Sequence, residues 1–296
     1  MKHHPLITSI LLLTFLAAQF IGLAIVYKYI DQTQSAEQGK TIFKPLPIGE
    51  RPPVEEKTSY IPVLLAILLG TGLLLLLIRF HLDWVWKAWF LIAVVVSLTV
   101  ALAAFIPALP AFLISLAAAA WKILKPNVWI QNFTELFIYG GLAAIFVPLF
   151  NLRSISILLV LIAIYDAYAV WKSKHMVTLA KSQAKSRIFA GLLIPYKMGK
   201  LLKPAKPPGR EVERVPVKVR TAILGGGDIG FPLIFAGVVL KQLGLWQSLV
   251  IPFFALAGLA LLLLIADEKK FYPAMPFISA GCLVGLAVVW LAGLVI

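Results

Sequence analysis

The sequence predicts an all-α membrane protein, a polytopic bundle of about nine transmembrane helices. Of its 296 residues, 61% are apolar and only 14% are charged, whereas a soluble domain is about half apolar and about a quarter charged. Apolar stretches of roughly 18 or more residues recur along the chain, and this length crosses a bilayer as a helix. We therefore expect a single membrane domain, residues 1–296, surrounded by lipid.

The predicted spans are each near the length of about 20 residues that a bilayer requires. Pro107 and Pro110 interrupt the apolar run between the third and fourth spans, so a re-entrant pair is the alternative there. The first span could be a signal peptide, but its apolar run is longer than such segments contain, which favours a retained span. The predicted bounds are 7–29, 60–79, 84–105, 107–124, 129–149, 154–173, 219–241, 247–266 and 273–295.

Two hydrophilic segments interrupt the apolar spans. Residues 30–59 are rich in proline and carry mixed charge, which predicts a loop. Residues 174–218 are strongly basic and separate six N-terminal helices (1–173) from three C-terminal helices (219–296). Within this basic segment, residues 187–202 mix apolar and basic side chains. They fit either a segment lying flat on an anionic membrane face or an ordinary solvated loop.

The basic residues predict the orientation of the chain. If the chain crosses the membrane nine times, most of its 27 lysine and arginine residues fall on the side of the N-terminus and the 174–218 segment. Cytoplasmic loops carry such an excess, so both are expected in the cytoplasm and the C-terminus outside. Orientation also accounts for the net charge of +14, and no nucleic-acid partner is expected.

Several kinds of catalytic site have no support in the sequence. The chain contains neither H-E-x-x-H nor G-x-S-x-G, and the single Cys282 allows no disulfide and no cysteine-based metal site. Gly225, Gly227 and Gly230 match G-x-G-x-x-G, but their flanks are a membrane span and no acidic residue follows about 20 positions on. We therefore expect no metal and no other cofactor.

Three acidic residues, Glu135, Asp166 and Asp228, lie within predicted spans. A carboxylate at the bilayer centre costs about 2.5–3.5 kcal/mol, so such a residue is a functional hypothesis by default. No lysine or arginine is expected near the middle of a span to pair with them. For Glu135, about two turns into its span, an interfacial bond to a neighbour is favoured over catalysis.

Asp166 and Asp228 are the candidate catalytic pair. They lie in consecutive, antiparallel spans. Their depths, measured from the expected cytoplasmic ends of these spans, are roughly 11 and 14 Å at a helical rise of about 1.5 Å per residue. Their carboxyl groups can meet if the two helices are neighbours, which the sequence does not establish. Two adjacent carboxyl groups share one proton. The ionised member can take a proton from water while the other donates to a carbonyl oxygen, which is general acid–base hydrolysis.

Small and aromatic residues flank the two aspartates. Gly225, Gly226 and Gly227 lack a Cβ atom, so backbone or an extended substrate can approach Asp228 closely. Close packing between helices is the alternative role of these glycines. Tyr165 precedes Asp166 and is a candidate hydrogen-bond donor, although a tyrosine within a span also serves as amphipathic packing.

These motifs resemble the presenilin and signal peptide peptidase family of intramembrane aspartyl proteases, in its archaeal form. Tyr165-Asp166 is similar to the family's Tyr-Asp segment, and Gly225-x-Gly227-Asp228 is similar to its G-x-G-D motif. The third family motif, P-A-L, is replaced before the last span by a P-A-M-P segment, in which Met for Leu is a tolerable change of volume. This segment comprises Pro273, Ala274, Met275 and Pro276.

The resemblance implies an endopeptidase that cuts transmembrane helices or signal-peptide remnants in the plasma membrane of a prokaryote. Asp166 and Asp228 would be catalytic in such an enzyme, and no cofactor or partner subunit is implied. By resemblance, the P-A-M-P segment would help to shape substrate binding. Tyr165 and the three glycines are expected to contact substrate because they flank the two aspartates. Asp228-Ile229 with Pro232 is more similar to signal peptide peptidases, whereas the charge-derived orientation matches presenilins.

Two other functions remain open from the residues alone. A prepilin-peptidase-like enzyme would also use two aspartates, but it cuts near the membrane surface. A proton-coupled transporter could use the same pair as a relay. Transporters usually contain paired structural repeats, and no repeat is evident in this sequence.

Overall fold

The computed structural model of the chain describes residues 5–80, 82–172, 189–195, 221–266 and 272–293. This part of the chain contains ten α-helices and one two-stranded sheet, with a 3₁₀ turn between the sixth and seventh helices. The helices are α1 (Pro5–Tyr29), α2 (Gln32–Gln38), α3 (Tyr60–Arg79), α4 (Asp83–Ala103), α5 (Ala108–Leu124), α6 (Val128–Phe146), α7 (Leu152–Trp171), α8 (Gly226–Gln242), α9 (Leu245–Ile265) and α10 (Met275–Leu291). The strands are β1 (Gly191–Pro195) and β2 (Thr221–Gly225).

The predicted helical membrane bundle is confirmed. Six helices, α1, α3, α4, α6, α7 and α9, are long and apolar enough to cross a membrane by themselves. Helices α5 and α10 are apolar but shorter, and α8 has 17 residues and carries both Asp228 and Lys241. The predicted number of nine spans is therefore approximate. The predicted loop 30–59 also contains the short helix α2.

The predicted span 219–241 is wrong at its start. Residues 221–225 form strand β2, which pairs antiparallel with β1 so that Gly225 lies opposite Gly191. Helix α8 begins only at Gly226, so Asp228 is its third residue rather than lying about nine residues into a span. The error has a physical cause, because a short apolar run fits a buried strand as well as a helix.

Strand β1 also corrects the two interpretations of residues 187–202. Residues 191–195 are neither a helix on the membrane face nor an unstructured loop, because they form the partner strand of β2. Leu192 and Ile194 are buried in the main hydrophobic core. The other residues of the 174–218 segment, apart from 189 and 190, lie outside the described part of the chain.

Helix α8 lies at the centre of the bundle. It packs against α1, α6, α7, α9 and α10, and most of its residues are buried. Helix α1 contributes Phe15 and Leu23 to the same core. Because α1 is packed on α6, α8 and α9, it is an integral part of the described bundle. Helix α3 lies at the periphery and leaves most of its surface exposed.

Close backbone contact joins α9 to α10. A Cβ atom at Gly258 would overlap the carbonyl oxygen of Phe277, and one at Gly281 would overlap that of Phe254. The two glycines therefore let the helix backbones approach each other, as small residues do in membrane bundles. This contact fixes the position of α10, whose first turn forms part of the candidate site.

The 30–59 loop is fastened to the C-terminal ends of α6 and α8. The Arg51 guanidinium donates to the carbonyl oxygen of Ala144, and the Thr41 hydroxyl donates to that of Lys241 at 2.6 Å. The Lys241 ammonium also forms an ion pair with Glu56 at 2.8 Å. The loop therefore lies at the end of the bundle opposite the sheet, which contacts the N-terminal half of α6.

Candidate active site

Helix α7 places Asp166 against the first turn of α10. Asp166 is buried, with 7% of its surface exposed. The backbone N–H of Met275 donates to its Oδ2 atom at 3.1 Å, and the N–H of Ala274 also donates to the carboxylate. The first N–H groups of a helix have no partner within it and attract negative charge. The Asp166 carboxylate therefore caps α10.

Asp228 lies in the first turn of α8, directly after strand β2. Its carboxylate accepts a hydrogen bond from the backbone N–H of Gly225. Helices α7 and α8 are in contact, and the carboxyl groups of Asp166 and Asp228 are close enough for their charges to interact. The condition that the sequence left open, that the two helices are neighbours, is therefore met.

The pair has the chemistry of an acid and a base in one place. Both carboxyl groups lie at helix N-termini, Asp166 at that of α10 and Asp228 at that of α8, and each accepts backbone N–H groups. Two neighbouring carboxyl groups in a poorly hydrated site carry one proton between them. Such a pair can activate water and protonate a carbonyl oxygen in the same step.

The glycines before Asp228 differ in their surroundings. A Cβ atom on Gly226 would lie 2.8 Å from Tyr139 Oη, and the Gly226 N–H donates to the carbonyl oxygen of Ala190 at 3.0 Å. A Cβ atom on Gly227 would make only an ordinary contact of 3.5 Å with the Phe231 ring. Gly226 thus serves close packing, whereas Gly227 leaves an open, exposed surface.

Gly225 separates strand β2 from the carboxylate. A Cβ atom at this position would lie 3.1 Å from Asp228 Oδ2. This is tighter than an ordinary contact, so a side chain at this position would press on the carboxylate that the Gly225 N–H holds. Both glycine roles that the sequence suggested, close approach and helix packing, thus occur within three residues.

The P-A-M-P segment lies beside Asp166, at the start of α10. Pro273 and Met275 are buried, while Ala274 and Pro276 are half-buried. The backbone N–H groups of Ala274 and Met275 make the contact with Asp166, so the segment holds the carboxylate through its backbone and not through its side chains. Tyr165 is half-buried on α7, next to Asp166 in sequence.

The expectation that no basic residue pairs with an intramembrane acid is wrong for Glu135. Glu135 is 1% exposed and forms an ion pair with Lys122, which is 3% exposed and lies in the last turn of α5. Gln131 Nε2 also donates to Glu135 Oε1 at 3.0 Å. The favoured interpretation of a bond to a neighbour agrees with these contacts, and the residue is buried inside the protein.

Sequence reasoning missed a polar stripe on α6. Gln131, Glu135 and Tyr139 follow at intervals of four residues, so they lie on one face of the helix, towards β1 and the start of α8. The Tyr139 hydroxyl is buried and has no hydrogen-bond partner of standard geometry. The four-residue spacing of polar side chains within an apolar span was the signal that could have revealed the stripe.

The described part of the chain offers no cluster of metal ligands. No three histidine, cysteine, aspartate or glutamate side chains of these residues come together in a way that could hold a metal ion. Cys282 is buried within α10, where it packs in the main core.

Comparisons with known proteins agree with this geometry. Residues 47–295 match the family model described as signal-peptide peptidase, presenilin aspartyl protease. A presenilin family intramembrane aspartate protease in a C222 crystal form has a similar structure, with a TM-score of 0.63, 21% identity and coverage of 96% of this chain and 99% of that one. A P2 crystal form of a presenilin family intramembrane aspartate protease is also similar, with a TM-score of 0.59, 22% identity and coverage of 95% of this chain and 96% of that one. No curated protein sequence is significantly similar.

The surroundings of the glycines predict opposite effects of two neighbouring substitutions. Gly226→Ala should lower the melting temperature in detergent, because the new Cβ atom meets Tyr139, and overpacking costs about 1–3 kcal/mol. Gly227→Ala is the matched control. Its Cβ atom has room, and alanine favours a helix over glycine by up to about 1 kcal/mol, so the melting temperature should stay or rise.

A double variant identifies the cause of the first effect. Tyr139→Phe removes the oxygen atom nearest to the new methyl group, so it should recover part of the stability lost in Gly226→Ala. If the effects of the two substitutions on the melting temperature are additive, a contact with the Tyr139 hydroxyl is not the cause of the stability lost in Gly226→Ala.

Proposed function

The chain belongs to the signal peptide peptidase and presenilin family of aspartyl proteases, and we propose that Asp166 and Asp228 are the carboxyl pair with which it cuts peptide bonds. As a member of this family it is an integral membrane endopeptidase whose substrates are transmembrane segments in a bilayer. The observation that supports the assignment is the approach of the two carboxyl groups from α7 and α8. Family membership favours hydrolysis over the transporter and prepilin-peptidase-like alternatives.

The reaction follows from a single shared proton. The ionised aspartate takes a proton from water as the water oxygen attacks the carbonyl carbon, and the protonated aspartate donates to the carbonyl oxygen. The resulting tetrahedral diol then collapses. A proton passes to the amide nitrogen, the C–N bond breaks, and a carboxylic acid and an amine leave the site. The two aspartates act as a unit, so neither is assigned the role of acid or base.

The backbone donors have a positioning role in this reaction. The N–H groups of Ala274 and Met275 hold Asp166, and the N–H of Gly225 holds Asp228. They fix the two carboxyl groups on separate helices without adding a further charge to the membrane. Other residues beside the pair are proposed to line the path of the substrate. They are Tyr165 before Asp166, Gly226 and Gly227 before Asp228, and Pro273 and Pro276 of the P-A-M-P segment.

We propose that the substrate binds as an extended strand along the outer edge of β2. In an antiparallel pair, every second residue of a strand directs its N–H and C=O groups towards the partner strand. The Gly226 N–H donates to the carbonyl oxygen of Ala190, so in this register the N–H and C=O groups of Ile223 point away from β1. No other strand occupies that edge among the described residues. A peptide bond is reachable only when the helix that contains it is unwound, and strand addition supplies partners for the unwound backbone.

The finer localisation is likewise a proposal: the plasma membrane of a prokaryote, with the N-terminus and the 174–218 segment in the cytoplasm and the C-terminus outside. The folded chain supports the relative placement. The start of α6 contacts the sheet that adjoins the basic segment, and its other end contacts the 30–59 loop. Residues 189–195 and the 30–59 loop therefore lie at opposite ends of the bundle, which supports placing them on opposite sides of the membrane.

The catalytic assignment predicts the loss of cleavage in either aspartate variant. Asp166→Asn and Asp228→Asn should each lower the rate of cleavage about 10³-fold or more, because neither half of the pair suffices for acid–base chemistry. The measurement is mass spectrometry of a single-span reporter peptide incubated with the purified chain alone in mild detergent. Asp31→Asn, at the start of α2, is the control and should retain activity.

Cleavage that survives either active-site substitution would contradict the shared pair. Activity of the purified native chain would in addition support the expectation that no partner subunit is needed. Cleavage that requires an added subunit would overturn that expectation without touching the catalytic assignment.

The proposed substrate edge predicts that a backbone N–H matters at position 223. Ile223→Pro removes this N–H while leaving the bonds between β1 and β2, and it should lower kcat/KM about tenfold. Ile223→Ala removes the exposed side chain but keeps the N–H, so it is the matched control. An equal loss in both variants would point to the side chain, and no loss in Ile223→Pro would exclude this edge.

The orientation predicts which loops an impermeant thiol reagent can reach in intact cells. In a Cys282→Ser background, Glu37→Cys should be labelled from outside, whereas Lys125→Cys should be labelled only after lysis. Both positions are exposed in the fold, on α2 and in the turn before α6. The reverse labelling pattern would mean that the chain is inserted in the opposite orientation.

A further inference from the structure

Helix α6 covers the free edge of strand β1 with side-chain amides. Asn132 Nδ2 donates to the carbonyl oxygen of Leu193 at 2.8 Å, and the Leu193 N–H donates to Asn132 Oδ1 at 2.9 Å. One side chain thus makes the two bonds that a paired residue of a neighbouring strand would make. Asn132 occupies the place of a third strand at this position.

Gln131 extends the same contact along β1. Its Nε2 atom lies 2.9 Å from the carbonyl oxygen of Gly191 and 2.7 Å from that of Phe189. Residues 189, 191 and 193 alternate along the chain, so all three use the edge of β1 that faces away from β2. That edge is therefore closed, and α6 closes it.

The orientation of Gln131 is itself held by the buried ion pair. Gln131 Nε2 lies 3.0 Å from Glu135 Oε1, and Glu135 is paired with Lys122. Lys122 Nζ also donates to Thr134 Oγ1 at 3.1 Å. Hydrogen bonds to charged groups are stronger than those between neutral groups, so this arrangement fixes the α6 side chains before any substrate arrives.

We propose that Asn132 determines the bond at which the substrate is cut. It fastens β1 to α6 and thereby leaves the outer edge of β2 as the edge offered to a peptide, at a fixed distance from Asp228. This inference rests on the proposed function and deepens it, and Asn132 is a positioning residue that acts through the sheet.

The geometry of a strand makes the choice of bond sensitive to this clamp. A register shift by two residues keeps the same side chains on each face. It moves the substrate by about 7 Å, at about 3.3 Å per residue. Reacting atoms must lie within about 3–3.5 Å of each other. A sheet that is loosely held therefore presents different peptide bonds to the carboxyl pair.

The test compares Asn132→Ala with Asn127→Ala. Asn127 caps the start of the same helix by accepting a hydrogen bond from the Ile130 N–H rather than from β1, so its loss should weaken α6 without releasing the strand. With a reporter peptide that the native chain cuts, Asn132→Ala should spread cleavage over neighbouring bonds and lower kcat/KM about tenfold. Asn132→Asp keeps the acceptor for Leu193 and should give an intermediate spread. Asn127→Ala should keep the native set of products.

Backbone hydrogen exchange tests the clamp without any substrate. The backbone N–H groups of residues 191–194 and 221–225 should exchange faster in Asn132→Ala than in the native chain, and at the native rate in Asn127→Ala. Unchanged exchange in Asn132→Ala would overturn the clamp. If exchange accelerates but the cut sites stay the same, the clamp exists and does not set the register, which also overturns the proposal.

The two readouts separate this inference from the proposed function. If the native chain cleaves no reporter in either orientation, it is the proposed substrate chemistry that fails, and the same absence of cut sites refutes the register role. The exchange result then still decides whether Asn132 holds β1.

Discussion

The structure depends on one constraint: a backbone polar group buried in lipid must have a partner. Helices satisfy it internally, but a peptide bond that is to be cut has to be unwound. The protein places a short sheet inside a helical bundle, and only one of its two strands has partners on both edges among the described residues. Strand β1 is paired with β2 on one edge and with the side chains of α6 on the other. The outer edge of β2 is thereby distinguished as a place where an unwound segment can find partners of its own.

The same constraint explains the placement of the two aspartates. The first N–H groups of a helix that begins inside the membrane have no hydrogen-bond acceptor within the helix, and a carboxylate in the membrane needs donors. A hydrogen bond between the two therefore satisfies both groups. A helix N-terminus contributes about 0.3–1 kcal/mol, and up to about 2 kcal/mol when buried. A charge at the bilayer centre costs about 2.5–3.5 kcal/mol. The donors from α10 and Gly225 therefore offset only part of the cost of placing two carboxylates there.

The sequence was sufficient to predict the helical bundle and to single out Asp166 and Asp228 as acids within it, because both depend on strong, local signals: long apolar runs, and isolated acids within them. It did not establish that the helices of the two aspartates are neighbours, which the structure shows. It failed at β2 and at Glu135, where tertiary contacts decide. The apolar residues before Gly225 fit a helix or a strand, and only pairing with β1 selects the strand. Lys122 lies near the end of its predicted span, but its long side chain reaches inward to Glu135. Such pairings need the three-dimensional neighbours of a residue, which hydropathy does not contain.

The buried pair of Lys122 and Glu135 is better understood as a positioning device than as a source of stability. Replacing a buried ion pair by apolar residues is often neutral or stabilising, since the desolvation of two charges offsets their attraction. Here the pair also orients Gln131, and Gln131 holds the strand whose end lies opposite Gly225. Gly225 in turn donates to Asp228. A series of contacts thus runs from α5 through α6 and the two paired strands to one carboxyl group of the pair. An apolar replacement could fill the same volume, but it could not transmit this orientation.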